Sequence, residues 1–171
     1  MEAYFDNSAT TIVTDSVKDI VVKTMTEDFG NPSAMHMVGV KAEKYIKEAQ
    51  ENIAKILKVD PKEIFFTSGG TESNNMAIIG TAMANKRKGN RIITTSVEHS
   101  SVLATMKYLE EQGFEVIYLP VDRYGVVQME ALEKEMTEDT ILVSTMYVNN
   151  EVGAIEPVGK IGQYIKKVNP S

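Results

Sequence analysis

The sequence predicts an α/β fold built on a mostly parallel, doubly wound sheet. Three observations predict it. From residue 63 onward, short apolar runs alternate with helical patterns, the arrangement that generates parallel strands joined by right-handed crossovers. The apolar runs are continuous rather than alternating (Ile64-Phe65-Phe66; Ile92-Ile93; Val116-Ile117; Ile141-Leu142-Val143), as expected of strands covered on both faces. The segments between them are long enough to carry a crossover helix of about a dozen residues.

The elements follow in chain order. Residues 1–14 carry turn and cap formers (Asp6, Asn7, Ser8, Thr10, Thr11) and read as an irregular amino-terminal arm. Asp15 is placed to cap a helix whose apolar positions Val17, Ile20, Val21 and Met25 recur at spacings of three and four. Phe29-Gly30-Asn31-Pro32-Ser33 ends it, because Gly and Pro interrupt helices. A second helix is predicted over residues 40–57, with Ala42, Tyr45, Ile46, Ala49, Ile53, Ile56 and Leu57 as its inward stripe. Pro61 precedes a predicted short strand at 63–67.

A Gly-rich turn at 68–70 then leads into a helix over 71–85, followed by a strand at 91–95 and a helix at 100–112 that stops at Gly113. A strand at 114–119, a turn at 122–125, a short helix marked by Met129, Leu132 and Met136, and a strong strand at 140–146 complete the alternation. Pro157 opens a last helix with Val158, Ile161, Ile165 and Val168 inward.

Composition narrows the function classes. The chain has 171 residues and a formal charge of −6, which argues against an electrostatic grip on nucleic acid or anionic lipid. It contains no cysteine, so a disulfide, a zinc–thiolate site or a thiol nucleophile within it is excluded. The two histidines, His36 and His99, lie in no metal-binding pattern, and no metal is expected. No apolar run approaches the roughly 18 residues of a membrane helix, and the amino end lacks a secretory pattern, so no membrane association and a cytoplasmic location are expected.

Ligands of open parallel sheets bind beyond the carboxyl ends of the strands. Three polar clusters fall there: Ser68-Gly69-Gly70-Thr71-Glu72-Ser73, Ser96-Val97-Glu98-His99, and Tyr147-Val148-Asn149-Asn150-Glu151-Val152-Gly153. The first combines glycines, hydroxyls and a helix start, which suits a phosphate. It has neither the Lys-Ser/Thr ending of a nucleotide loop nor the spacing of a dinucleotide fingerprint. His99 on that rim could stack on a flat ring or move a proton, and Asn149-Asn150 could bond a ligand oxygen. Taken singly, each has a plain alternative: a strand–helix turn with Ser68 or Thr71 as cap, a capping or core histidine, and an asparagine turn. Glu151 reads as a solvated or structural carboxylate, and Asn31-Pro32-Ser33 with His36 as a loop and helix start.

Together, Phe5-Asp-Asn-Ser-Ala-Thr-Thr11, Gly30-Asn-Pro-Ser33 with His36, Phe65-Phe-Thr-Ser-Gly-Gly-Thr-Glu-Ser-Asn-Asn75, Glu98-His99 and Val148-Asn-Asn-Glu-Val-Gly153 resemble the cysteine desulfurases, class-V, fold-type I pyridoxal-phosphate enzymes. The resemblance runs the length of the chain. It implies a pyridoxal 5′-phosphate cofactor and conversion of L-cysteine to L-alanine with an enzyme-bound persulfide. It further implies a homodimer, and sulfur passed to an iron–sulfur scaffold or another acceptor protein. By the same resemblance Gly70 and Thr71 hold the cofactor phosphate. His99 is the ring-stacking histidine and acid–base catalytic residue, and Asn150 bonds the phenolic oxygen. Residues 1–14 correspond to an arm of the family's small domain, and residues 15–171 to part of the cofactor-binding large domain.

The departures bear on activity. The family's Asp for the pyridinium nitrogen, Schiff-base Lys, catalytic Cys and substrate-binding Arg match nothing in this sequence. The expectation is therefore an amino-terminal fragment that stops short of the Schiff-base lysine, cannot attach the cofactor covalently, is inactive alone and associates through exposed apolar surface. The other readings are a non-catalytic dimerisation or partner-binding domain, and a related selenocysteine lyase or class-V aminotransferase.

Overall fold

A computed structural model describes residues 2–169. The chain divides into two compact units, Met1–Phe66 and Thr67–Ser171, and each is described by itself.

In the first unit the arm leads to helix α1 (Asp15–Thr26), preceded by Thr14 in extended conformation. Asp15 is the first helical residue rather than the cap, and its carboxylate lies where the helix dipole favours negative charge. Helix α2 (Met37–Leu57) begins three residues before the predicted start, because His36 caps it: the Gly39 N–H donates to His36 Nδ1 at 3.2 Å. Gly39 is buried, and any side chain there would strike the Ala34 carbonyl. Asp28, just past α1, has a fully buried carboxylate that accepts from the Tyr45 hydroxyl at 2.6 Å and pairs with Lys41 Nζ at 2.5 Å. These contacts fasten the end of α1 to α2. A capping box of Asp60 and Glu63 then opens a single 3-10 turn, Pro61–Glu63.

The strand predicted at 63–67 is not formed. Residues 64–67 carry no ladder pairing, and the Ile64 carbonyl accepts instead from Gln50 Nε2 at 3.0 Å. An apolar β-prone run specifies an extended chain, but a strand also needs a hydrogen-bonded neighbour, which among the described residues this segment lacks.

The second unit runs α3 (Gly70–Asn85), β1 (Arg91–Thr95), α4 (Ser100–Glu111), β2 (Glu115–Leu119), α5 (Met129–Glu135), β3 (Thr140–Ser144) and α6 (Val158–Val168). The strands form one parallel sheet in the order β2-β1-β3. The doubly wound prediction holds, and the central strand shows why. Ile92 and Ile93 are consecutive, so they point to opposite faces. Ile92 packs with Ile78 and Ala82 of α3, and with Val102, Met106 and Leu109 of α4. Ile93 packs with Leu119, Val127, Leu132 of α5, Met136 and Ile161 of α6. Gly113 ends the α4 segment at φ +87°, a left-handed conformation that suits glycine. Phe114 drops out of the strand into the core, so β2 begins at Glu115.

Candidate functional site

Because β1 and β3 are parallel, the turns that follow Thr95 and Ser144 emerge on the same edge of the sheet. Two buried side chains join them. Glu98, 7% exposed, accepts from the Thr95 hydroxyl and from the Met146 N–H through Oε1, both at 2.8 Å. Burial pushes its carboxyl above the ordinary range, the hydrogen bonds from Thr95 and Met146 pull against that, and nearby Glu156 adds to the rise. Asn149 is also buried. Its amide Nδ2 donates to the Val97 carbonyl at 3.0 Å, and its Oδ1 accepts from the Glu151 and Val152 N–H groups, each at 2.9 Å. The His99 turn and the Asn150 turn are thereby held together.

Helix α3 carries the first of the three polar clusters at its start. Gly69 precedes it, and no side chain caps it. A Cβ built on Gly69 or Gly70 would meet nothing within 4 Å, and the first N–H groups of a helix have no intrahelical partner. Thr71 is exposed, and its hydroxyl bonds to no described residue. Glu72 would otherwise repel an anion here, but its carboxylate turns back to the Ser68 hydroxyl and N–H, both at 2.6 Å. Those bonds hold its pKa below the usual value, the Ser68 hydroxyl contributing most.

The third link runs from α3 to α4. Asn74 Nδ2 donates to Ser101 Oγ at 2.9 Å, and Ser101 Oγ lies 2.8 Å from His99 Nδ1. His99 caps α4, accepting the Ser101 N–H at Nδ1 over 3.1 Å, and its ring is exposed. Asn150 is exposed, with its amide donating to Glu151 Oε1 at 2.8 Å.

The three turns that carry Gly70, Thr71, His99 and Asn150 are thus tied to one another through Asn74, Ser101, Glu98 and Asn149. The sequence marks Asn149 as a candidate ligand donor, but the structure turns it inward as a brace; Asn74, Ser101 and Glu98 carry no sign of bracing in the sequence. Glu98 adjoins a singled-out residue, and a lone acid in a strand–helix turn is the signal that could have found it. The donor set fits a phosphorylated planar ring: an uncapped helix start with a free hydroxyl for a dianion, an exposed imidazole for a ring face, and an amide for an oxyanion.

The model of the class-V aminotransferase family matches residues 3–170. Cysteine desulfurase IscS of Clostridium botulinum (strain Hall) is 47% identical over 168 residues, covering 98% of this chain and 42% of that protein. Cysteine desulfurase IscS 1 of Archaeoglobus fulgidus is 48% identical over 162 residues, covering 95% and 42%. Among solved structures, a NifS-like protein superposes with a TM-score of 0.94 at 48% identity, over 99% of this chain and 47% of its own. A structure of SspA in complex with cysteine superposes at 0.88 and 38% identity, over 96% and 47%. The chain therefore spans under half the length of these relatives.

Proposed function

The chain belongs to the class-V aminotransferase family, and from that premise we propose that it forms the phosphate- and ring-holding part of a pyridoxal-phosphate-dependent cysteine desulfurase. The whole protein acts on L-cysteine as a homodimer in the cytoplasm and hands sulfur to an iron–sulfur scaffold or another acceptor protein. The names of its relatives support that substrate. The observation that carries the reading is the uncapped start of α3, tied through Asn74 and Ser101 to the exposed ring of His99. In this reading residues 15–171 are part of the large domain and residues 1–14 are the arm of a smaller one.

When bound, pyridoxal phosphate supplies an electron sink for carbanion chemistry. Binding and orienting it fall to the residues of this chain. Gly70 and Thr71 offer N–H groups, and Thr71 its hydroxyl, to the phosphate dianion, which the α3 dipole also favours. His99 presents a ring face for stacking and an imidazole edge for proton transfer. The Asn150 amide donates to the phenolic oxygen in place of Glu151. The buried pair Glu98 and Asn149 keeps these last two turns at a fixed separation.

The test is a titration of the full-length protein with 4′-deoxypyridoxine phosphate, which has the ring and the phosphate but no aldehyde. Thr71→Ala is expected to weaken binding about tenfold, the value of one hydrogen bond to a charged group. The full-length protein loaded with pyridoxal phosphate is expected to form alanine from L-cysteine. Unchanged binding by Thr71→Ala, or no alanine, overturns the proposal.

A further inference from the structure

The contacts around His99 carry information about where its ring proton resides. Nδ1 has two neighbours, the Ser101 N–H at 3.1 Å and Ser101 Oγ at 2.8 Å. A backbone N–H can only donate, so a proton on Nδ1 would face a second proton there. Nδ1 therefore accepts. Ser101 Oγ must then donate its proton to Nδ1, since two lone pairs at 2.8 Å would repel. That leaves its own lone pairs for the Asn74 Nδ2 donor at 2.9 Å. The chain of donors runs one way, from the Asn74 amide to the Ser101 hydroxyl to His99 Nδ1. Every member satisfies its neighbour in only this direction.

We infer that Ser101, backed by Asn74, is a positioning residue that fixes neutral His99 as the Nε2–H tautomer, with the protonated nitrogen on the ring's far edge from α4. Ser101 is 8% exposed. Its carbonyl also accepts from the Thr105 hydroxyl at 2.8 Å, and that hydroxyl bonds Asn75 Oδ1 at 2.7 Å. The serine hydroxyl is held on two sides, by Asn74 Nδ2 and by His99 Nδ1. The other histidine provides a built-in comparison. His36 also caps a helix through Nδ1, accepting from the Gly39 N–H, but no second donor among the described residues reaches it. Of the two rings, His99 is the one held by two donors.

For the chemistry, the inference deepens the reading above and rests on it. A ring fixed in this tautomer offers an N–H, not a lone pair, to whatever lies beyond Nε2, so it begins as a donor or general acid toward an oxyanion or a leaving group. Without the serine hydroxyl, only the backbone N–H of residue 101 still favours this tautomer, and the share of Nδ1–H rises.

The experiment is nitrogen-15 NMR of the imidazole groups in the full-length protein without cofactor, at a pH where His99 is neutral. The signals lost in His99→Gln assign its ring. Wild-type His99 is expected to show a protonated Nε2 and an unprotonated Nδ1. In Ser101→Ala the ratio of Nε2–H to Nδ1–H is expected to fall about fivefold, the equivalent of one ordinary hydrogen bond, and Ser101→Thr, which keeps a hydroxyl, is expected to restore it. A wild-type ring protonated at Nδ1, or an unchanged ratio in Ser101→Ala, overturns the inference. Should Ser101→Ala fail to fold, Ser101→Gly removes the same hydroxyl, and an unchanged ratio there is equally decisive. The spectrum needs no bound cofactor, so its failure is distinguishable from a failure of the 4′-deoxypyridoxine phosphate titration.

Discussion

Each of the two units buries a carboxylate, and the two are kept in opposite ways. Asp28 in the first unit has cations beside it, Lys41 at 2.5 Å and Lys23 at 3.9 Å, and accepts from the Tyr45 hydroxyl. Its pKa is held below the ordinary value, with the Lys41 hydrogen bond as the largest cause. Glu98 in the second unit has no cation among the described residues, only neutral donors and a second buried acid, Glu156, nearby, and burial drives its pKa up. The apolar surfaces differ in the same direction. Helix α1 has no buried residue, and Val17, Ile20, Val21 and Met25 of its apolar stripe are exposed. In the second unit Ile92, Ile93, Met106, Leu109 and Leu132 are fully buried. The lesson is that hydrophobic periodicity announces a face to be covered, whereas coverage itself is a tertiary fact. Where a core closes, an uncompensated carboxylate can be retained in it, at a cost that a functional turn can justify.

The largest effect expected from this contrast is in packing. Leu132→Ala is expected to cost about 3 kcal/mol, as a large-to-small change in a closed core, whereas Ile56→Ala, at a position 79% exposed, is expected to cost under about 0.5 kcal/mol. Urea unfolding of the two variants measures both. Equal losses would mean that the first unit's apolar stripe is covered in solution.

A pH series comes next, and the two carboxylates are expected to give opposite slopes. A depressed folded-state pKa adds stability that is complete above the ordinary Asp range and is lost as pH falls toward the depressed value. Asp28→Asn should therefore flatten the acid limb of a stability–pH curve. A raised folded-state pKa adds stability that is complete below the ordinary Glu range and is lost as pH climbs through the raised value. Glu98→Gln should flatten that loss on the higher-pH side. Melting curves across the carboxylate range decide it, and flattening of the same limb by both variants would abolish the contrast.

The smallest effect concerns the rim of the sheet. Arg91 makes a two-point contact with Glu115, Nε to Oε2 at 2.9 Å and NH2 to Oε1 at 2.8 Å, across β1 and β2. Its partner is half-exposed, so Arg91→Met is expected to cost no more than about 1 kcal/mol, with most of that removed by salt. A loss as large as that of Leu132→Ala would place this ion pair among the core interactions.

The fold is legible where local patterns decide it. Continuous apolar strands such as Ile92-Ile93 announce a sheet covered on both faces, and Gly113 and Pro157 mark helix ends by backbone geometry that any fold must respect. The strand predicted at 63–67 fails for a physical reason: Phe65 and Phe66 carry β propensity, but pairing depends on a neighbour distant in sequence. The candidate site is half legible. The turns are identifiable from their composition, while the side chains that join them are not. Asn149 and Asn150 are adjacent and identical in type, yet one is buried and bonded through its side chain four ways and the other is exposed.

From the sequence alone follow the helices, the parallel alternation, and the gathering of glycines, hydroxyls, an imidazole and amides into three turns. Only the tertiary structure decided which member of each polar run turns inward to brace a neighbouring turn and which is left facing outward. Helices and strands repeat every 3.6 and 2 residues, so their faces can be counted along the chain. An irregular turn has no period, and the inward direction of Glu98 and Asn149 is set only when another segment brings a donor or an acceptor within reach.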